Sequence, residues 1–546
     1  MRITILDGYV DEPSCLGIPP YISPYPRAAS GGAFSAGAEI EYLTINEVRS
    51  GRKVSDSDLL VVIGGSAVPG KYLRGAPASK REIIEIASRM KCTKMLGGPI
   101  ASYFCDDDLR SAFDFVVLKD IEAAVYDFVR TGKFVDRRRT LDEFDDWSLL
   151  GAEICKHHPD INGPLIAEVQ TYRGCVRYAS GGCSFCIEPG FGEVQFRNPD
   201  SIIAETGALA KAGVRHLRIG GQSCFISYMA EGVGESDTPR PSPGMIDYLL
   251  KGIREAANPK VLHLDNANPA VIAEHPEESR RIMQSIVTYC TSGNVLALGL
   301  ESADPRVAEL NNLNATTDQT MKAIEIINEA GGERGSSGLP MSLPGINFLS
   351  GLKGETEKSF ELNKKFLSDV MKKNLLLRRI NIRQVIPSRP GFQLSETDHS
   401  AFVKFKDWVR KEIDRPMLGK LIPAGTVMRD VYMEMHEGNV TFGRQVGSYP
   451  LLVGLPYKCE IDRFIDVMVI SHGFRSITGV EYPLDINKAP MLALSSLPKI
   501  GGKRARRIVR ARPIKSVEQL RQALDDDDAA GEVMKFTDLA GKEMIS

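Results

Sequence analysis

The first 135 residues alternate short apolar runs with longer segments in which apolar residues recur every three or four positions. The apolar runs predict five strands, at Arg2–Asp7, Glu39–Thr44, Leu59–Ile63, Lys94–Leu96 and Phe113–Leu118. The longer segments predict helices near Ala28–Ala36, Ser79–Met90 and Glu122–Thr131. Because strands that alternate with helices are typical of a doubly wound parallel sheet, residues 1–135 are predicted to form one α/β domain.

A second alternating series runs from residue 165 to residue 400. Its predicted strands are Leu165–Tyr172, Val214–Gly220, Val261–Asn266, Val295–Glu301, Ile346–Leu349 and Ile380–Ile386. Helical patterns separate these strands, notably at Pro199–Ala212, Thr317–Ala330 and Glu355–Met371. Six strand–helix repeats predict a partial (β/α)6 barrel of the TIM type. The charged residues 136–164 between the two series are interpreted as a linker or a surface crossover.

The pattern changes after residue 400. A helical segment at Ser400–Ile413 is followed by short strands with glycine turns, so residues 401–485 are predicted to form a small β-rich domain. In residues 486–546, the segment Leu494–Lys503 places a glycine pair between two helical stretches. This arrangement predicts a C-terminal helix–hairpin–helix tail.

Three cysteines, Cys175, Cys183 and Cys186, follow the first strand of the second series with the spacing C-x7-C-x2-C. Three thiolates can hold three irons of a [4Fe–4S] cluster and leave the fourth iron open to a small ligand. A structural zinc site is the alternative, but zinc needs a fourth Cys or His, and the loop contains none. The spacing therefore favours the cluster, with the three cysteines as its ligands.

Further candidate residues follow other strands, because parallel sheets and barrels bind ligands at the carboxyl ends of their strands. In the first domain these candidates are Tyr9, Glu12, Tyr21, Gly64, Gly65, Ser66, Gly97, Gly98, Pro99 and Glu122. In the barrel they are Phe185 within the cysteine loop, Gly220, Gly221, Gln222, Glu301, Ser302 and Arg383. Glycine pairs also occur in plain turns, so a purely structural first domain is the alternative.

The composition is that of an ordinary globular protein, with 43% hydrophobic residues, 25% charged residues and a formal net charge of −2 over 546 residues. This balance gives no reason to expect a chain coated with nucleic acid. The chain has no run of 18 apolar residues and no signal-peptide pattern at its start, so neither a membrane span nor secretion is expected. Ten cysteines in a chain of this length suit a reducing cytoplasm.

The cysteine loop, with Phe185 before its last cysteine, resembles that of the radical S-adenosylmethionine (SAM) superfamily, whose commonest spacing is C-x3-C-x2-C. Gly220-Gly221-Gln222 resembles the Gly-Gly-Glu motif of that superfamily, with Gln in place of Glu. Leu298–Ser302 and Gly351–Thr356 resemble its cobalamin-binding branch, in which a Rossmann-like domain precedes the barrel. The resemblance implies three cofactors: a [4Fe–4S] cluster, SAM, and cobalamin in the form of methylcobalamin.

The resemblance also implies roles for the candidate residues. The backbone at Gly220 and Gly221 is expected to meet the SAM amino group, with Gln222 as an acceptor, Glu301 on the ribose hydroxyls and Arg383 on the carboxylate. Residues 1–135 contain no histidine, so cobalt is expected without an imidazole ligand, and Tyr9, Tyr21 and Tyr25 are candidates for its lower face. The implied reaction takes hydrogen from an sp3 carbon with a 5′-deoxyadenosyl radical and adds the methyl group of methylcobalamin.

More closely, the cysteine spacing, the segment Val440–Pro450 and the hairpin tail resemble the methanogen enzymes that C-methylate a glutamine of methyl-coenzyme M reductase. This resemblance implies post-translational methylation of a glutamine α-carbon in a peptide of the reductase α-subunit. It further implies a separate electron donor and the cytoplasm of an anaerobic archaeon.

Two alternatives are left open. A methylthiotransferase would hold a second cluster in the first domain, where Cys15, Cys92 and Cys105 occur. A nucleic-acid-modifying enzyme would use the basic hairpin tail to bind DNA or RNA. Because the chain is slightly acidic and Asp525–Asp528 follow the tail, packing or docking is the expected role, and nucleic acid is not an expected partner.

Overall fold

The computed structural model describes residues 1–10, 21–65, 75–396 and 398–537. The predicted site residues Glu12 and Ser66, and the possible second-cluster residue Cys15, lie outside these ranges. Within the described ranges, no helix combines the length and the apolar character needed to cross a membrane.

An α/β domain forms the amino-terminal part of the chain. Its elements are β1 (Arg2–Asp7), β2 (Tyr21–Ile22), α1 (Pro24–Ser35), β3 (Glu39–Thr44), α2 (Ile45–Arg49), β4 (Leu59–Ile63), α3 (Lys80–Arg89), β5 (Thr93–Gly97), α4 (Pro99–Tyr103), α5 (Asp107–Ser111), β6 (Phe115–Val116) and α6 (Ile121–Thr131). Five of these strands form a parallel sheet in the order β3-β1-β4-β5-β6. The five predicted strands are all present, because apolar runs such as the fully buried β4 are covered by helices on both faces.

Residues 136–164 are not the linker or surface crossover that their charge suggested. They form α7 (Leu141–Gly151) and a 3-10 helix (Ala152–His157), and α7 packs against α1. At Gly31 and at Gly151 the two helices approach so closely that a Cβ atom would fall 1.8 Å from a carbonyl oxygen of the other helix. Asp142 and Asp146 are exposed while Phe144 and Trp147 are buried, so the segment is an amphipathic helix.

The barrel follows. Its elements are β7 (Ile166–Val169), β8 (Tyr172–Arg173), β9 (Gln195–Phe196), α8 (Pro199–Lys211), β10 (His216–Ile219), α9 (Pro243–Ala257), β11 (Val261–Leu264), α10 (Pro269–Glu274), α11 (Pro276–Tyr289), β12 (Asn294–Glu301), α12 (Pro305–Leu310), α13 (Thr317–Gly331), β13 (Ser342–Ser350), α14 (Glu357–Lys372) and β14 (Arg379–Gln384). Two parallel sheets, β11-β10-β7-β2 and β12-β13-β14, meet at a bridge between Ala267 and Leu298. All six predicted barrel strands are present, as β7 and β10 to β14.

The first domain and the barrel share elements, so the boundary predicted at residue 135 is not a clean one. Strand β2, from the amino-terminal segment, pairs in parallel with β7 of the barrel. Arg27 of α1 pairs with Glu205 of α8 over 2.5 Å, and Glu205 also pairs with Arg197 over 2.7 Å. All three side chains are buried, and removing one charge from such a network would leave the others uncompensated.

A small closed barrel comes next, in the region predicted to be β-rich. Its elements are α15 (His399–Trp408), a π-helical turn (Val409–Asp414), α16 (Arg415–Leu421), β15 (Val427–Glu437), β16 (Val440–Gln445), β17 (Leu451–Leu455), β18 (Arg463–His472) and β19 (Ser476–Glu481). The strands close in the order β15-β16-β17-β19-β18, with only β17 and β19 parallel. A five-stranded barrel of this kind is typical of the OB type.

Four helices complete the described chain: α17 (Met491–Ser496), α18 (Gly501–Arg510), α19 (Val517–Leu524) and α20 (Asp527–Phe536). The hairpin between α17 and α18 turns through positive φ angles of +64° at Lys499 and +48° at Gly501. The tail is joined to the small barrel, since the backbone N–H of Leu484 donates to the carbonyl of Phe536 over 2.7 Å.

Candidate active site

The three cysteines lie together in the loop that follows β8. Cys175, Cys183 and Cys186 are all half-buried, and their thiols act electrostatically on one another. Burial raises the pKa of Cys183 and the pKa of Cys186 to about 12, and it raises the pKa of Cys175 as well. Thiols in such surroundings become thiolates when they bind a metal centre, whose positive charge replaces the proton.

The donor set of this loop fits a cluster better than a single ion. Among the described residues, no three His, Cys, Asp or Glu side chains are arranged to hold one metal ion. Ligands of zinc surround one ion at about 2.3 Å, whereas thiolates on a [4Fe–4S] cluster bind different irons and lie farther apart. The three thiols lie in one loop but are not arranged around a single ion, and this favours the [4Fe–4S] cluster over the zinc site.

Arg177 lies within the seven residues that separate Cys175 from Cys183. Its Nη1 donates to Cys183 Sγ over 3.3 Å, and its backbone N–H donates to Cys175 Sγ over 3.5 Å. Asp237 and Asn312 each hold the buried guanidinium through contacts of 3.0 Å. The long first spacing thus places a cation beside the proposed cluster ligands. Arg177 is not among the residues predicted from the sequence. The one feature that could have indicated it is the presence of an arginine inside a cysteine loop.

Residues from the far side of the barrel hold the rest of the loop. Arg389 donates to the carbonyl of Cys183 over 2.5 Å, and Asn312 donates to the carbonyl of Gly182 over 2.9 Å. Phe185 packs into a small apolar cluster at the ends of β13 and β14. The loop therefore spans the barrel mouth from β7 to β14, and Phe185 anchors it by packing.

The turn after β10 reaches the cysteine loop. Ser223 donates to the carbonyl of Gly174, immediately before the first cysteine, over 3.0 Å. Gly220 has no room for a side chain, because a Cβ would fall 2.2 Å from Oε1 of Glu168. Gly221 has a φ of +74°, which favours glycine, and its carbonyl accepts from another side chain over 3.0 Å. The glycine turn is thus placed at the mouth beside the cysteines.

Gln222 points away from that mouth. Its Nε2 donates to the carbonyls of Ile219 and Asp265 over 3.3 and 3.1 Å, and its Oε1 accepts from Thr171 over 3.3 Å. The side chain is buried and its amide ties the ends of β7, β10 and β11 together. This arrangement gives Gln222 a positioning role, in place of the ligand contact that the motif suggested.

Glu301 is brought to the cysteine loop. It ends β12 with a φ of +63°, a conformation that a non-glycine residue rarely adopts, and its charge acts on Cys183. Ser302 is buried, and its Oγ accepts from the backbone N–H of Asp304 over 3.2 Å, so it serves the turn after β12. Arg383 lies on β14, two strands from Glu301, and is half-buried.

The carboxyl edge of the first sheet faces the barrel mouth. Asp120, after β6, forms a bidentate pair of 2.8 and 2.9 Å with Arg173, two residues before Cys175. Beside it, Glu122 pairs with Arg139 over 2.8 Å. Burial raises the pKa of Glu122, and Arg139 opposes that rise. Glu122, a predicted cofactor contact of the first domain, is therefore engaged in an ion pair with the segment that precedes α7.

Large apolar side chains remain open to solvent between these two edges. Tyr25, Tyr103, Phe104 and Leu118 are between 37% and 48% exposed. Tyr103 lies within electrostatic range of Cys186, so this group of side chains adjoins the cysteine loop. We call these four side chains the aromatic crevice. Their size and exposure suit a flat, largely apolar ligand.

Two other tyrosines lie away from the aromatic crevice. Tyr9 is buried inside the α/β domain, with its backbone N–H donating to Asp7 over 2.8 Å. Tyr21 lies on β2, and its hydroxyl donates to the carboxylate of Glu168 in the barrel. Tertiary packing turns both rings inward, so their position-based assignment to the lower face of cobalt stays a prediction without support from exposure.

The glycine pairs of the first domain are filled by the protein itself. A Cβ on Gly64, Gly65, Gly97 or Gly98 would fall between 2.6 and 2.8 Å from atoms of neighbouring residues. Pro99 opens α4 directly after Gly98. The glycines at these positions therefore allow close packing directly after β4 and β5. This favours the alternative in which the glycine pairs belong to turns and have a structural role.

The small barrel reaches into the larger one. Tyr449, between β16 and β17, donates to Oδ1 of Asp265 over 2.6 Å, and Arg218 donates to the same carboxylate. The guanidinium of Arg379 lies 4.3 Å from the centroid of the Tyr449 ring. Residues around Tyr449 therefore supply polar groups to the interior of the barrel, a contribution that strand patterns alone did not reveal.

A loop of three cysteines across the mouth of a partial parallel barrel defines the class of radical SAM proteins, and the Radical SAM superfamily profile matches residues 169–366. An uncharacterized protein of Methanocaldococcus jannaschii is 44% identical over 505 residues, which cover 88% of this chain and 93% of that protein. Another, from Archaeoglobus fulgidus, is 43% identical over 536 residues, covering 95% and 97%. The matched segment, residues 169–366, belongs to the Radical SAM superfamily, and the chain as a whole belongs to the archaeal family that these two proteins represent.

The fold is shared with a solved structure, that of the cobalamin-dependent S-adenosylmethionine radical enzyme OxsB with aqua-cobalamin bound. The two superimpose with a TM-score of 0.51 at 13% identity, over 76% of this chain and 55% of OxsB. The likeness confirms the predicted α/β class with parallel sheets and the radical SAM fold.

Proposed function

We propose that this chain is a cobalamin-dependent radical SAM methyltransferase that methylates an unactivated sp3 carbon. The observation that carries the proposal is the pair between Asp120 and Arg173, which sets the carboxyl edge of the first sheet against the cysteine loop. The cysteine loop and the aromatic crevice thereby lie side by side. Chemistry that needs two cofactors in contact requires such an arrangement.

The residues present fit the cofactors. Cys175, Cys183 and Cys186 would hold a [4Fe–4S] cluster, and SAM would lie on its open side, between Glu301 and the turn at Gly220. The aromatic crevice would hold cobalamin. When bound, the cluster with SAM supplies radical chemistry that activates a C–H bond, and methylcobalamin supplies the methyl group.

The side chains of the site position and shield these groups. Arg177 keeps a positive charge beside Cys183, and Glu301 offers carboxylate oxygens as acceptors for ligand hydroxyls. Arg383 on β14 offers a guanidinium that suits a ligand carboxylate. The largely buried pairs Asp120–Arg173 and Glu122–Arg139 hold the chain beside the cysteine loop in place.

For the substrate, we propose a glutamine in a peptide of the methyl-coenzyme M reductase α-subunit, with a separate protein or small molecule as electron donor. The support is that the end of the segment Val440–Pro450, one of the features on which the closer resemblance rests, contacts the large barrel. Tyr449 and Arg379 lie there, and Arg378 donates to the carbonyl of Tyr449 over 3.0 Å. Polar groups of this kind can satisfy the amides of a bound peptide.

The methylthiotransferase alternative receives less support. Cys92 precedes β5 and contacts Ser57 before β4, whereas Cys105 follows α4 beyond the other end of β5. These two thiols therefore lie at opposite edges of the first sheet. A second cluster would need ligands at one edge.

Anaerobic reconstitution tests the proposal. We expect about four irons and about one cobalt per chain, and the gain of one methyl group on a reductase peptide that contains the glutamine. Cys183→Ala should lose iron and abolish methylation, while Cys290→Ala, a buried thiol outside the site, should keep both. About eight irons without cobalt would favour a methylthiotransferase. If the enzyme holds its iron and cobalt but leaves the peptide unmethylated, the proposed substrate is wrong and the proposed class of enzyme still holds.

A further inference from the structure

The hairpin tail carries a concentrated positive charge that the proposed function does not use. Residues 499–515 contain eight Lys and Arg and no Asp or Glu, although the whole chain has a formal net charge of −2. The eight are Lys499, Lys503, Arg504, Arg506, Arg507, Arg510, Arg512 and Lys515. The overall balance therefore hides a strongly basic segment.

The acidic run after the tail neutralises only part of this charge. It begins the second helical hairpin, where Asp526 pairs with Arg504 and Asp528 pairs with Lys499 over 3.0 Å. The tail cations that form no ion pair with an acidic side chain within the described ranges are Lys503, Arg506, Arg507, Arg510, Arg512 and Lys515. Two ion pairs with the acidic run therefore leave most of the positive charge of the tail without an acidic partner in the described residues.

Three of these cations follow one side of α18. Lys503, Arg506 and Arg510 are exposed and lie three and four residues apart, which places them on the same side of a helix. Ala505 and Ile508, which point to the opposite side, are buried. At a rise of 1.5 Å per residue the three cations span about 10 Å, the length of about three nucleotides along one strand.

We propose that this basic face, made of Lys503, Arg506 and Arg510, binds the phosphate backbone of a nucleic acid without reading its sequence. Evenly spaced cations match the repeating charge of a phosphodiester chain, and arginine contacts phosphate bidentately. RNA and DNA share this backbone, so the ligand chemistry is common to both. The inference goes beyond the proposed methylation and does not depend on it.

An acidic protein is the competing partner for the same charge. Protein interfaces depend on large apolar or aromatic anchors, and α18 exposes only one large apolar side chain, Val509. A flexible acidic peptide also lacks the fixed charge spacing of a nucleic-acid strand. The composition of the helix therefore favours the nucleic acid.

Fluorescence anisotropy on the full chain tests the proposal. The probes are a labelled single-stranded RNA and a duplex DNA, both of about 20 nucleotides, and poly-glutamate of similar length, each titrated across a range of salt concentrations. The test variant is K503E/R506E/R510E. The matched control is K251E/K365E/K372E, on α9 and α14, whose side chains are 58%, 74% and 75% exposed. Unfolding temperature and iron content show that both variants fold.

The wild type should bind at least one nucleic-acid probe with an affinity that falls steeply with salt. The test variant should bind at least about tenfold more weakly. The slope of its affinity against salt concentration should decrease by the equivalent of about two to three phosphate contacts. The control variant should keep the wild-type affinity and the wild-type slope. The affinities for the RNA probe and the DNA probe show which nucleic acid is preferred. Absence of binding at low salt, an equal loss in the control, or tighter binding of poly-glutamate than of either nucleic acid would overturn the proposal.

Discussion

The guanidinium of Arg177 donates a hydrogen bond to the sulfur of Cys183 over 3.3 Å. The contact exists because Arg177 lies in the longer first spacing of the cysteine loop, where Asp237 holds it from behind over 3.0 Å. A cation and a hydrogen bond at a cluster ligand favour the reduced, more negative cluster. The unusual spacing therefore has a physical consequence for the redox properties of the site.

Replacing Arg177 by Gln should make the cluster harder to reduce, because the positive charge is lost while part of the hydrogen bonding is kept. At the wild-type midpoint potential we expect the ratio of reduced to oxidised cluster to fall about tenfold, which corresponds to about 59 mV for one electron. A redox titration followed by electron paramagnetic resonance measures this directly. Arg240→Gln, which breaks an exposed pair with Glu278, is the control. An unchanged midpoint in Arg177→Gln with full iron content would contradict the assignment.

Some features of the fold and the site could be predicted from the sequence and others could not, for a physical reason. The barrel strands and the grouping of the three cysteines in one loop were predictable, because apolar runs and thiol spacing are local properties of the chain. The direction of Gln222 was not, since its amide is satisfied by Ile219, Asp265 and Thr171 from three strands. The burial of Tyr21 was not predictable either, for the same reason: its strand pairs with β7, far along the chain.

Replacing Glu205 by Gln should destabilise the fold strongly. The change leaves the buried guanidinium groups of Arg27 and Arg197 without their shared carboxylate, and such a loss costs about 3–5 kcal/mol. Chemical denaturation of the apoprotein measures the free energy of unfolding. Glu255→Gln, which removes an exposed pair with Lys251, should change it by less than about 1 kcal/mol. Equal effects of the two variants would mean that the network does not hold the domains together.

Asp7 should make stability depend on pH. Burial raises the pKa of Asp7 from 3.8 to about 6 in the folded chain, against its hydrogen bonds from Tyr42 and Tyr9. The folded state therefore binds the proton more tightly, and this contribution to stability is complete below about pH 4 and is lost as the pH rises through about 6. Asp7→Asn should gain stability relative to the wild type between pH 4.5 and pH 8, by about 2 kcal/mol. Thermal unfolding at both pH values tests this.

The control for that series is Asp56→Asn, at an exposed position of the same domain. Its stability relative to the wild type should stay constant between the two pH values, because an exposed carboxyl gains little on folding. If Asp7→Asn behaved like this control, the carboxyl of Asp7 would not be desolvated.

Removing the aromatic crevice should separate cobalt binding from iron binding. Tyr103→Ala and Phe104→Ala together delete apolar area that a bound corrin would cover, and each large side chain contributes about 1.5–3 kcal/mol when fully buried. We therefore expect cobalamin to be retained at least about tenfold more weakly, while iron content stays at the wild-type level. Tyr248→Ala, at a 51% exposed position on α9, should retain cobalamin normally. Full cobalt occupancy in the double variant would place the corrinoid elsewhere, whereas loss of iron together with cobalt would show that the crevice supports the cysteine loop.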